Sequence, residues 1–332
     1  MILKLLLVVY KTLMLLGILL FGTIYISFFY EIDWRLDLVT NFAPQVGILC
    51  LVLTIIGICC KDKILANMNL TLMILYVIFI VKVIYSNNTN SAEKPNISFL
   101  AHNLNLKNQN YKDTQKLILD VAPDIVLLSE FEPEWNAKLP EIYIKYPFKV
   151  TIPYDKGHGI ALFSKHMITS SRIESFVSGV EFPCVIAKVQ FQDTTLNIIG
   201  VHLNPPINEY EHHQLGLQVE ALKKEINKLE GEPVVVLGDF NFSPFTQAYR
   251  DLSSETSLSG TAFTATLVNT WHHENHPLGN VLGANVDHVF LSPHFTPVTR
   301  KVHPKTGSDH NPVFVTTHFK ELKKKTSEEE DE

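Results

Sequence analysis

Val234-Val235-Val236-Leu237-Gly238-Asp239-Phe240-Asn241 is a run of strand-forming residues that stops on glycine, acid and amide. Branched side chains suit a pleated, buried surface, whereas Gly-Asp and Asn favour turns. The stretch therefore predicts a buried strand over Val234–Leu237 that delivers Asp239 and Asn241 to the end of a sheet. Taken alone, Asp239 reads equally well as an ordinary turn residue. Two later stretches repeat the pattern in reverse. Asp287-His288 opens an apolar run over Val286–Leu291, and Ser308-Asp309-His310 stands just before Val313–Thr317.

The same punctuation recurs toward the N-terminus. Ile97–Asn103 ends on Asn103, Ile125–Glu130 ends on Glu130, and Leu196–Leu203 carries His202 near its end. Gly159–Ser164 and Val185–Phe191 complete the expected strands. Two helices are predicted. One lies near Lys112–Val121. The other spans about Glu209–Leu229, with Asn208 and Glu211 spaced as a capping box and Leu215, Val219, Leu222, Ile226 and Leu229 as its apolar stripe. Many strands with few, separated helices fit an α/β fold of two packed, mainly antiparallel sheets flanked by helices, a four-layer sandwich, better than a doubly wound parallel sheet.

Ahead of this part the composition changes sharply. Residues 1–85 contain three apolar stretches, Ile2–Tyr30, Val46–Cys60 and Leu70–Tyr85. A membrane span takes about 20 apolar residues. The first stretch meets this directly, and the other two do so when Phe42–Pro44 and Met68–Asn69 are counted. A cleaved secretory signal is shorter and is not followed by two more such runs. The expectation is an anchor of three transmembrane helices, with two as the alternative. Lys4 precedes the first span and Lys61 and Lys63 follow the second, whereas the intervening loop sets Arg35 against Glu31, Asp33 and Asp37. This bias orients everything after Tyr85 away from the cytoplasm. A polar linker is expected over 86–95, a catalytic domain over 96–320 and a charged, disordered tail over 321–332.

With 28 Lys+Arg against 34 Asp+Glu, the chain carries a formal charge of −6. An acidic chain lacks the broad basic face of a processive nucleic-acid binder. Three of the four cysteines, Cys50, Cys59 and Cys60, fall in or beside the second apolar run, which leaves Cys184 without a partner for an internal disulfide. No Cys/His ligand cluster of structural zinc spacing is present.

Acid, amide and imidazole groups at one sheet rim suit metal-assisted hydrolysis of a phosphate ester. That reaction needs a hard divalent cation on oxygen ligands, a base for water and donors for the phosphoryl oxygens. GDFN, an internal DH and SDH, in that order, resemble the endonuclease/exonuclease/phosphatase superfamily, and the leader resembles its small bacterial membrane-attached members. The resemblance covers about Asn96 to His318. It implies that Glu130 is the main ligand of Mg2+, or of Mn2+, with Asn103 in the metal shell and Asp309 completing the acidic side. It further implies Asp239 as the group acting on water, Asn241 on a phosphate oxygen, His310 on the transition state, Asp287 as the orienter of His310, and His202 as a second catalytic histidine. A hydrogen-bonded core histidine is the plain alternative for His202. Where related members carry arginine on the helix after the His202 strand, this chain has His212, His213 and Gln214, which leaves the substrate-binding cation missing or replaced.

The expectation is thus a membrane-anchored, Mg2+-dependent phosphodiesterase, in the inner membrane of a bacterium with its catalytic domain outside the cytoplasm. Its partners would be a lipid or small-molecule phosphoester and the bilayer, with no protein partner. The alternatives are a membrane-tethered nuclease and a non-catalytic binding module.

Overall fold

Two strand–helix–strand units, one in each sheet, set the architecture. In the first, β1 (Ile97–Asn103) runs parallel to β2 (Ile125–Ser129) by way of α5 (Tyr111–Val121). In the second, β7 (Thr194–His202) runs parallel to β8 (Val234–Asp239) by way of α8 (Glu209–Asn227). The computed structural model describes residues 2–29, 33–59, 63–85, 93–262, 268–273, 278–279 and 281–320, and among them every other strand pairing is antiparallel.

One six-stranded sheet has the order β13 (Phe295–Val302), β14 (Val313–Phe319), β1, β2, β4 (Ile160–Ser164), β3 (Phe148–Ile152). The other has β5 (Ile168–Glu174), β6 (Cys184–Phe191), β7, β8, β12 (Asp287–Leu291), β9 (Ser259–Gly260). A short ribbon joins β10 (Trp271–His272) to β11 (Gly283–Ala284). Remaining helices of this part are α6 (Pro133–Lys138), α7 (Pro140–Lys145) and α9 (Gln247–Ser254).

The continuous apolar run at 234–237 is explained by burial on both faces. Val235 and Leu237 join Phe99, Leu127, Ile198 and Val289 between the sheets. Val234 and Val236 point the other way, onto Leu215, Val219, Leu222 and Ile226 of α8. On the far side, α5, α6 and α7 cover Leu100, Val126 and Leu128 through Ile118, Trp135 and Ile142. Helix, sheet, sheet, helix is the resulting order, with each buried aliphatic side chain contributing about 1.5–3 kcal/mol. Half of the expected capping box forms at α8: Asn208 accepts from the Glu211 N–H, while the Glu211 carboxylate takes the Asn204 amide instead.

The leader forms α1 (Ile2–Phe29), α2 (Trp34–Thr40), α3 (Ala43–Cys59) and α4 (Lys63–Tyr85). The loop expected between the first two apolar runs thus contains a short helix, capped by the Asp33 side chain. Among the described residues no single helix is long and apolar enough to cross a membrane, and only α2 with α3, bent by 71° at their junction, meets length and composition together. Cys50, Cys59 and Cys184 are free thiols. Of the expected linker, residues 86–92 lie outside the described residues, as does the whole of the expected tail, 321–332.

Candidate active site

Parallel strands β1, β2, β7 and β8 all end at one rim, and their antiparallel neighbours begin there. Register fixes the rows: His202 pairs with Asp239, and Asp239 with Asp287, so three polar residues stand abreast across β7, β8 and β12. In the other sheet Asn103 pairs with Ser129, and Glu130 follows immediately. Gly238 is required for the approach of β8 to β7, since a Cβ there would lie 1.9 Å from the Val201 carbonyl oxygen, at φ +142°. Glu130 and Asn241 adopt φ of 54° and 55°. For Glu130, a non-glycine residue without asparagine's tolerance of this region, that is backbone strain of the kind that clusters at functional sites.

The Asn103 amide joins the two sheets. Its Nδ2 donates to Glu130 Oε1 at 2.9 Å and to Asp239 Oδ2 at 3.0 Å, while its Oδ1 accepts from the Asn105 N–H at 3.0 Å. Glu130 Oε2 accepts the Leu106 N–H at 2.7 Å. Asp239 Oδ1 accepts the Asn241 N–H at 3.0 Å, and the Asn241 amide donates to the Leu203 carbonyl at 2.8 Å. His202 Nε2 and His310 Nε2 each lie 3.7 Å from Asp239 Oδ2. His310 Nδ1 is bonded to Asp287 Oδ2 at 2.9 Å. Every candidate read from the sequence is therefore at this rim. Asp309 sits at its margin, with one oxygen taken by the Asn105 amide at 2.5 Å and the other by Trp271 Nε1 at 3.0 Å.

A model of the endonuclease/exonuclease/phosphatase family matches residues 96–310. The chain belongs to this family. Its members are hydrolases acting on phosphoester bonds. No curated protein sequence matches the chain significantly. Similar solved structures include D. rerio TDP2 complexed with single-strand DNA product, at 17% identity and TM-score 0.57 over 67% of this chain and 98% of that one. The 3′ phosphatase NExo from Neisseria, bound to a product DNA hairpin, gives 17% and 0.56 over 68% and 100%. The human Nocturnin catalytic domain with bound sulfate gives 16% and 0.56 over 71% and 99%. At these identities the likeness is one of fold.

Within this family fold the two rim histidines are driven apart in charge. Burial lowers the pKa of His202 to about 4, against the opposing pull of Asp239, so its ring is neutral near pH 7. His202 Nδ1 has no partner among the described residues. Burial also disfavours charge on His310, but Asp287 and then Asp239 outweigh it and lift its pKa to about 10. His310 is therefore a buried cation. Asp239 is pushed up to about 6, by burial first, with His310 pulling the other way. Burial raises Glu130 as well, against the Asn103 hydrogen bond. Asp287 is lowered, because the charge and hydrogen bond of His310 exceed its desolvation. Such opposed shifts in one cleft are typical of acid–base sites.

The donor set fits a hard divalent cation. Asp239, Asp287 and His310 present atoms within 4.8 Å of one another, yet Asp287 and His310 already satisfy each other. The oxygen-rich side is that of Glu130, partly buried, and Asp239, buried, two carboxylates on one amide nitrogen whose pKa values burial raises. Carboxylate and amide oxygens are the ligands Mg2+ and Mn2+ prefer.

Several residues that brace the rim were not among the candidates read from the sequence. Ser308 donates to the Asn103 carbonyl at 2.7 Å and accepts the His310 N–H at 2.9 Å, tying two rim residues together. Thr270 Oγ1 accepts the N–H groups of Val286 and Asp287. Asn105 and Trp271 fix Asp309. Ser308, inside the Ser308-Asp309-His310 motif, and Asn105, in the stretch His102-Asn103-Leu104-Asn105, carried a local signal. His288, beside Asp287 but on the opposite face of β12, is a core histidine: it bonds the Phe242 carbonyl at 2.8 Å among Phe240, Phe242 and Tyr249.

Proposed function

We propose that this chain is a membrane-anchored phosphoesterase that uses Mg2+ or Mn2+ to hydrolyse a phosphodiester of a lipid or small molecule. The observation that carries the reading is the Asn103 amide shared by Glu130 and Asp239, with the charged His310–Asp287 pair beside Asp239. Asp239 takes a proton from water as the water oxygen bonds to phosphorus, and the leaving oxygen departs on the opposite side with the bonding pair. His310 donates to a non-bridging oxygen as negative charge builds there, and Asp287 holds the ring in the required tautomer. Asn241 holds a second phosphoryl oxygen, and neutral His202 supports the same centre as a hydrogen-bonding group. Bound at Glu130 with Asn103 beside it and Asp309 on the acidic margin, the cation would neutralise phosphoryl charge and favour loss of the leaving oxygen. No covalent intermediate is involved.

In the same proposal residues 1–85 anchor the chain, 86–95 link, 96–320 catalyse and 321–332 form a solvated tail. Outward-facing apolar residues support the anchor: Leu15 is 58% exposed, Ile58 63% and Ile78 59%, an apolar surface that lipid covers and water does not. The lysine bias supports an orientation with the catalytic domain outside the cytoplasm, and the resemblance of the leader to bacterial membrane-attached members suggests a bacterial inner membrane. The second reading, a nuclease, is favoured by the DNA bound to two structural neighbours and opposed by the net charge of −6.

A panel of dispersed phospholipid, a chromogenic diester and single- and double-stranded DNA, assayed with the full chain in Mg2+ and in chelator, separates these readings. Magnesium-dependent turnover led by the lipid is expected. Faster hydrolysis of DNA, falling steeply with salt, would replace the substrate class, and no turnover of any member would leave a binding module.

A further inference from the structure

The corner between α2 and α3 reaches into the rim just described. Buried Asn41 accepts the Ser243 N–H on its Oδ1 at 2.8 Å, and Ser243 is itself fully buried, two residues beyond Asn241. Phe245, on the same loop, fills a socket formed by Phe21, Ile24, Val46, Cys50 and Tyr76 of the leader. Gln45, one turn along from Asn41, donates to the carbonyls of Val281 and Gly283, each at 2.8 Å. Gly283 and Ala284 pair with His272 and Trp271, and Trp271 holds Asp309 and bridges to His310. One helical corner thus grips both arms that flank the candidate site, the Asn241 loop and the Trp271 ribbon. A third tie, Asp37 with His212 at 3.1 Å, fixes α2 to α8. Trp34, Asp37 and Asn41 also share with Asn241 the walls of a cavity of about 930 Å3.

We infer that the α2–α3 corner is a positioning element of the catalytic site, with Asn41 and Gln45 as its positioning residues, so that the leader governs turnover as well as location. The inference rests on the hydrolytic reading above. Asn241 holds a left-handed backbone conformation in a loop beyond the end of its strand. The catalytic domain holds the near half of that loop through Leu203, Val286 and His288, and the leader holds the far half at Ser243 and Phe245. A displacement of about 1 Å at a reacting centre costs about a hundredfold in rate.

The test uses the full-length chain in detergent with Mg2+ and bis(4-nitrophenyl) phosphate, reading kcat, KM and melting temperature. Asn41→Leu should lower kcat by about a hundredfold with KM nearly unchanged. Asn41→Asp, which keeps an acceptor for the Ser243 N–H, should restore most of it. Gln45→Ala removes one amide at the surface of the corner and decides the matter if Asn41→Leu fails to fold. It should lower kcat by about tenfold at an unchanged melting temperature. The inference is overturned if folded Asn41→Leu, or Gln45→Ala in its place, matches the parent kcat while Asp239→Ala is inactive. An active Asp239→Ala would remove the site assignment itself, and the inference with it.

Discussion

Replacing Asp287 by Asn removes one negative charge from a buried pair and leaves its shape unchanged. The perturbation is large because His310 Nδ1 lies 2.9 Å from the Asp287 carboxylate and both side chains are buried. The rise in the His310 pKa from 6.5 to about 10, reached against burial, is a net of about 5 kcal/mol in favour of the imidazolium, at 1.36 kcal/mol per unit. Asp287 is the largest attractive contributor and, among the described residues, the only carboxylate in hydrogen-bond contact with the ring. Without that charge, burial pulls the imidazole pKa down from about 10 against the weaker pull of Asp239 and Asp309. The asparagine amide can also present either its oxygen or its nitrogen to Nδ1, so the tautomer is no longer enforced. Turnover at pH 8 should fall by about 10²–10⁴. The assay is kcat for a chromogenic diester from pH 5 to 10, where the alkaline limb of the parent, at about pH 10, should move to lower pH in the variant. An unchanged kcat, or a fall without any movement of that limb, would refute the role of Asp287 in keeping His310 charged.

Other perturbations separate the parts of the site. Gly238→Ala sets a Cβ against the Val201 carbonyl in a conformation that disfavours side chains, and thermal melts should show a loss of about 2–4 kcal/mol. Trp271→Phe removes the donor to Asp309 Oδ2; thermal melts should show a loss of about 1.5–3 kcal/mol, the contribution of a hydrogen bond to a charged group, and kcat should fall by about tenfold as Asp309 loses its orientation. Lowering the pH through about 6 protonates Asp239 and should weaken turnover. A cation on neighbouring Glu130 disfavours protonation of both carboxylates, so added Mg2+ should restore it, and a titration at pH 5 and pH 8 checks this. The signs for stability without the cation follow from both groups having raised pKa values. Asp239 ionises less readily in the fold than at its ordinary 3.8, so the chain gains stability as pH falls from about 6 toward that value. The stabilisation from His310 is full below 6.5 and is lost as pH rises through about 10.

What could be read from the sequence follows burial. The strands expected from the residues alone, β1, β2, β4, β6, β7, β8, β12 and β14, are the interior strands of both sheets, where buried apolar residues predominate. The longer strands that went unrecognised lie at sheet edges. Ile168–Glu174 is mostly exposed, Phe148–Ile152 is only half-buried, and Phe295–Val302 carries Pro297 beside a register shift. Edge strands tolerate polar residues and proline, so their pattern fades. Glu130, Asn103, Asp239 and Asp287 were legible because each interrupts an apolar strand at its end. Trp271 was not, because its link to Asp309 spans 38 residues and leaves no local signature. The grip of Asn41 on Ser243, over 202 residues, was equally invisible.

The account stands most directly on Asp239. Hydrolysis of a simple phosphodiester by the full-length chain should be measured for the parent and for Asp239→Asn, in Mg2+ and in chelator. Turnover confined to the parent with Mg2+, and lower by orders of magnitude in the folded variant, is the expected result. Equal rates in parent and variant, or rates indifferent to the chelator, would contradict it.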